Sequence, residues 1–137
     1  MGALRAAELN SLGMKGIGRI YQEYASGRID GDDEVVLMYD PFTLKALSEP
    51  LITLRLNVER AVEERIIRES QAHAIIDQLK STFYPRRSYR KLLAIGENIL
   101  TLEELRNLEN FFQREYIDFK RDDAILVLKE LAKLTER

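Results

Sequence analysis

The sequence predicts an α+β fold that is predominantly helical, with about six helices and one strand. Three observations carry this reading. From Ser48 onward, apolar residues recur at helical spacing almost to the end of the chain. Only Glu34-Val-Val-Leu-Met-Tyr39 has the continuous apolar character of a strand buried on both faces. The chain has 137 residues, 45% hydrophobic and 32% charged, which suits one core under a solvated surface. Residues 1–137 are therefore read as a single domain.

Residues 3–12 are rich in Ala, Leu, Arg and Glu and predict a helix with Leu4, Ala7 and Leu12 on one stripe, closed by Gly13. Three glycines in residues 13–18 predict a turn. A helix over about 17–26 follows, with Ile17, Ile20, Tyr21 and Tyr24 on one face and Gly27 at its end. Arg28–Asp33 is a polar turn, and Asp40-Pro41 closes the strand at 34–39. A lone strand leaves backbone groups unpaired, so it needs partners outside the chain or across a homodimer. Ser48 is the expected N-cap of a helix running to about residue 68, with Glu49 and Pro50 in its first turn. Further helices are predicted over about 70–83, ended by Tyr84-Pro85, and over 88–95, closed by Gly96. Thr101 and Glu104 form a capping box ahead of Leu102, Leu105, Leu108 and Phe112. The last helix spans about 121–134.

Several function classes are excluded or disfavoured. With no cysteine, disulfides, thiolate catalysis and cysteine-ligated metals are out. No apolar run spans a bilayer, and the N-terminus has no charged-then-apolar leader, so a cytoplasmic protein without membrane contact is expected. Gly16-Ile17-Gly18 lacks the third glycine and preceding strand of a dinucleotide site, and no cofactor is expected. His73 has no metal-ligand spacing around it and is read as a surface or boundary residue. Net charge is −2, which gives no whole-domain footprint for nucleic acid. Arg86, Arg87, Arg90 and Lys91, with Tyr84 and Tyr89, remain a local patch for RNA or an acidic protein surface; a loop packed by its own tyrosines is the alternative.

Several separated segments share one resemblance. They are Met1–Leu9 (MGALRAAEL), Gly13–Ile20 (GMKGIGRI), Tyr24 with Gly27 and Ile29, Asp32–Val35, Ser48–Leu51 with Arg55, and later Lys120–Ala124 (KRDDA). In order and spacing these resemble the TfuA-like family, while residues between about 60 and 115 carry little of it. TfuA-like proteins work beside YcaO enzymes, which activate peptide amides with ATP. The resemblance implies an accessory role in peptide backbone thioamidation: sulfur delivery by hydrolysis of the C-terminal thiocarboxylate of a ubiquitin-like sulfur carrier protein, with help in binding the peptide substrate. A serine–lysine pair is the implied machinery. In the family, the segment resembling Met1–Leu9 follows a serine-containing turn and alternating strands and helices. The resemblance thus implies the C-terminal part of a core domain, with 1–55 as motif-bearing front end and 56–137 as helical scaffold. The serine, and partners for the strand, are then expected upstream, and little hydrolysis is expected from the chain alone.

On that reading Lys120 is the candidate base, since a desolvated lysine can take a proton from a hydroxyl. Gly2 and Ala3, at a helix start, are candidate oxyanion donors through their N–H groups. Arg5 could recognise a carboxylate or simply pair with Glu8, worth about 0.2–0.5 kcal/mol. Asp32, Asp33 and Glu34 suit a hard cation, or else pair with Arg19, Arg28 or Arg55. Ser48 is a cap or a substitute nucleophile, next to Glu49. Arg121 is a binding candidate, and Asp123 either caps the last helix or orients Lys120 or Arg121. The expected partners are a YcaO-type enzyme, the sulfur carrier and a peptide substrate. The rival reading is a non-catalytic helical adaptor that docks such an enzyme.

Overall fold

In the computed structural model, residue 13 and residues 15–136 are described. They are predominantly helical and contain no sheet. They form two compact units, one from Met1–Asp30 with Asp118–Arg137 and one from Gly31–Ile117. The predicted helix at 3–12, with Gly2, Ala3, Arg5 and Glu8, lies outside the described residues.

The first unit holds α1 (Arg19–Ala25) packed on α6 (Phe119–Thr135). A seven-residue helix is too short to persist alone, so its start must be fixed by something else. Its N-cap residue, Gly18, has no side chain to offer. Asp123 of α6 supplies the cap, accepting Arg19 N–H at 2.9 Å and Ile20 N–H at 2.7 Å. Asp123 therefore does not cap its own helix as the sequence suggested; Asp118 does that, accepting from Arg121 N–H at 3.1 Å. The glycines make the approach of Asp123 feasible. Gly18 has φ 96° and ψ 166°, a region essentially confined to glycine, and a Cβ there would lie 2.6 Å from the Asp123 Cγ. A Cβ on Gly16 would fall 2.1 Å from the Tyr21 ring. The polar end of α1 is tied by buried Glu23, which pairs with Arg19 at 3.2 Å and with Arg28.

The second unit is built around α2 (Leu51–Glu63), whose residues 51–58 are all buried. α3 (Glu69–Lys80) and α5 (Leu102–Glu115) pack on α2, and α4 (Tyr89–Gly96) packs on α3 and α5. Leu51, Leu54, Val58, Ile75, Leu79, Leu92, Leu108, Phe111 and Phe112 form the core. Each fully buried leucine there contributes about 1.5–3 kcal/mol. Asn57 on α2 is buried and holds the chain after α5, donating to Ile117 O at 2.8 Å and accepting from Ile117 N–H at 3.0 Å. The predicted Thr101–Glu104 capping box is present, with bonds of 3.2 and 2.9 Å. Ser88 caps α4 through Lys91 N–H at 3.0 Å.

Two expectations are corrected. Residues 34–39 are not a strand. Asp32–Glu34 form a 3-10 turn, Val35 continues it in a helical conformation, and only Tyr39 makes an isolated antiparallel bridge, to Ala46. The returning loop satisfies the backbone that a sheet would have served. Met38 O accepts from Leu47 and Ser48 N–H, Met38 N–H donates to Ser48 Oγ at 2.7 Å, and Asp40 N–H donates to Lys45 O at 2.9 Å. The need for strand partners across a dimer goes with the strand. The helix expected from Ser48 to about 68 is shorter, because Ser48 is spent on Met38 and α2 begins after Pro50. It ends in a Schellman motif, with Ile66 N–H to Ala61 O at 2.8 Å and Arg65 N–H to Val62 O at 2.9 Å. Arg65 takes the left-handed position, φ 59°, where sequence reasoning looks for glycine.

Replacing Gly18 by Ala should cost about 1–3 kcal/mol, because the side chain meets both an unfavourable φ and the Asp123 carboxylate. Hydrogen exchange at the Arg19 and Ile20 amides should report it, and Asp123→Ala should deprotect the same two amides.

Candidate functional site

In the Gly31–Ile117 unit, the acidic turn is gripped by two buried guanidinium groups. Arg55, on α2, donates through Nε to Glu34 at 3.2 Å and through Nη1 to Glu59 at 2.9 Å. The Arg55 and Glu34 side chains are only 7% and 4% exposed, so both charges depend on their ion pairing. Arg87, in the loop before α4, is buried. It donates to Leu79 O and Lys80 O at the end of α3, each at 3.1 Å, to Asp33 O at 2.8 Å and to the Asp33 carboxylate at 2.6 Å. A single fork thus terminates one helix and anchors the turn. Of the expected pairings for Asp32, Asp33 and Glu34, that of Glu34 with Arg55 is present; Arg19 and Arg28 both pair with Glu23. Glu34 and Asp33 are drawn to different arginines and Asp32 is exposed; no described group of three such ligands could hold a metal.

The neighbouring Ser48-Glu49 pair extends this framework. Ser48 is buried and its Oγ accepts from Met38 N–H, so it ties the returning loop and does not cap α2. Glu49 N–H donates to Arg87 O at 2.9 Å, while its carboxylate accepts from Tyr89 N–H and from the Tyr116 hydroxyl at 2.6 Å. One residue thereby joins the Arg87 loop, the start of α4 and the end of α5. The structure brings Asp33, Glu34, Ser48, Glu49 and Arg55 into one connected framework, whose central member, Arg87, the sequence had assigned to a cationic surface patch. Arg86, Arg90 and Lys91 are exposed, as is His73.

In the other unit, Lys120 lies in the first turn of α6, two residues from the Asp118 cap, with Arg121 exposed beside it. Burial lowers the Lys120 pKa below the usual lysine value, against a smaller opposing effect of Asp118. Such a lysine releases a proton more readily than a solvated one, which is what a general base requires.

The model of the TfuA-like protein family matches residues 1–88, so the chain belongs to that family. The match runs past residue 60, through α2 and α3 to Ser88, so the expectation of little resemblance between about 60 and 115 is corrected for residues up to 88. The later KRDDA segment lies outside it. No curated protein matches the chain. Membership supports an accessory role beside YcaO-type enzymes. No helix among the described residues is long and apolar enough to cross a membrane.

Arg87→Leu should cost about 2–4 kcal/mol, since it removes the buried donor to Lys80 O and Asp33 O and leaves Leu79 O with Thr82 N–H alone. Urea unfolding should show this loss, whereas Arg86→Leu, at an exposed neighbour, should change stability by less than about 0.5 kcal/mol.

Proposed function

We propose that this protein assists YcaO-dependent thioamidation of peptide backbones by releasing sulfur from a thiocarboxylated ubiquitin-like carrier protein. The family match over residues 1–88 is the observation that carries this reading. Lys120 is the residue we assign to proton transfer, supported by its desolvated ammonium group. In the reaction, an oxygen nucleophile attacks the carbonyl carbon of the thiocarboxylate and its proton passes to the neutral Lys120 amine. As the C–S bond breaks, the Lys120 ammonium returns that proton to the sulfur, which leaves as hydrosulfide for the thioamide-forming partner; the carrier's acyl group leaves as carboxylate, directly when the nucleophile is water and after attack of water on the ester when it is a hydroxyl. Gly2, Ala3, Arg5, Glu8 and Arg121 are the proposed contacts to the developing oxyanion and the carrier. The protein acts in the cytoplasm and holds no cofactor of its own.

A non-catalytic adaptor is the second reading, favoured by the loop of residues 38–47. Asp40 Oδ1 orders this loop by accepting from Phe42 and Thr43 N–H at 2.8 and 3.2 Å, yet Phe42 is 95% exposed and Leu44 76%. An ordered loop that displays large apolar side chains suits docking to an enzyme.

Sulfide release from a thiocarboxylated carrier, measured with the YcaO partner present, separates the two. Neutral Lys120 becomes more abundant as pH rises, so hydrolysis should rise with pH and level off below the range of an ordinary lysine. Lys120→Met should abolish release, and it should stabilise the fold at neutral pH, because the buried charged form is the unfavourable one. Undiminished thioamidation by Lys120→Met, with loss of enzyme co-purification in Phe42→Ser, would leave only the adaptor.

A further inference from the structure

The rings of Tyr89, Phe112 and Tyr116 meet edge to face, with centroids 5.6–5.7 Å apart. Together with Gln113 they line an open concavity of about 330 Å³. Its surface is almost wholly aromatic, but its surroundings are acidic. Glu109 precedes Phe112 by three residues and Gln113 by four, so it shares their face of α5 one turn back. Glu49 lies beneath, bonded to Tyr89 N–H and the Tyr116 hydroxyl. The Tyr89 hydroxyl is itself buried and has no hydrogen-bond partner among the described residues. Burial raises its pKa, and the charges that add to the shift are the carboxylates of Glu109 and Glu49. The same helix already seats a cation on a ring, with the Arg60 guanidinium 5.5 Å from the Phe111 centroid.

Electron-rich ring faces beside a half-buried carboxylate are complementary to a side chain with an apolar stem and a positive tip. We propose that the Tyr89–Phe112–Tyr116 concavity recognises a basic side chain on a partner polypeptide. The aliphatic stem lies against the three rings and Glu109 takes the charge. This assignment is independent of the hydrolytic reading, since none of its residues takes part in that reaction.

The test is an NMR titration of the whole chain with a blocked Gly-Lys-Gly peptide, against the same peptide carrying norleucine, which keeps the stem and lacks the charge. Saturable shifts should centre on Tyr89, Phe112, Gln113 and Tyr116, with norleucine binding about two- to fivefold more weakly. Glu109→Gln should weaken lysine binding by a similar factor, about two- to fivefold. Gln113→Lys, which puts a competing cation on the rim, should remove it. Equal binding of the norleucine peptide would overturn the proposal in favour of a merely apolar pocket. Absence of saturable shifts, or insensitivity to Glu109→Gln, would overturn it outright.

Discussion

The grip of Arg55 and Arg87 on the Asp32–Glu34 turn is the interaction on which the Gly31–Ile117 unit depends. A guanidinium is stable in a core only when its donors find acceptors. Arg55 finds Glu34 and Glu59, and Arg87 finds two helix-terminal carbonyls and Asp33. With the turn fixed, the chain after it must come back along its own backbone, and the Met38–Ser48 bonds follow. That return delivers Glu49 to the Arg87 carbonyl and then to Tyr89 and Tyr116. Four segments distant in sequence are thereby held by a few buried polar groups, and the apolar residues of α2, α3, α4 and α5 fill the space between them.

The other unit uses the same device at a helix start. A carboxylate from α6 stands in for the cap that Gly18 cannot provide, and the glycine is required because the carboxylate sits where a Cβ would be. Two segments that resembled the family separately, Gly13–Ile20 and Lys120–Ala124, are thus partners in one contact. Asp123 is explained by capping, so the proton transfer proposed for that segment falls to Lys120.

Much of the helical framework was legible, because the periodicity of α3 and α5 reflects burial on one face and the Thr101–Glu104 capping box is local chemistry. The failures share a cause. Val35 to Tyr39 are apolar and contiguous, which is the pattern of a buried strand, but their conformation is set by charges at 32–34 meeting arginines more than twenty residues away. Arg87 looked like one member of a basic run, and nothing local distinguishes it from exposed Arg86 or Arg90. Asp123 caps a helix about a hundred residues earlier in the chain. Arg65 occupies a left-handed position without the glycine that marks one. Long-range pairing of polar groups leaves no periodic trace, so the candidate site was readable as a set of residues and not as a set of contacts.

Within the acidic turn, Glu34 is a buried structural clamp on Arg55, while Asp32 and Asp33 keep exposed carboxylates. The most direct measurement is a double-mutant cycle on Glu34→Leu and Arg55→Met, read by urea unfolding. Each single change should cost about 3–5 kcal/mol by removing the main partner of a buried charge, and the double variant should cost far less than their sum. Small and additive losses, each below about 1 kcal/mol as for exposed charges, would contradict the account.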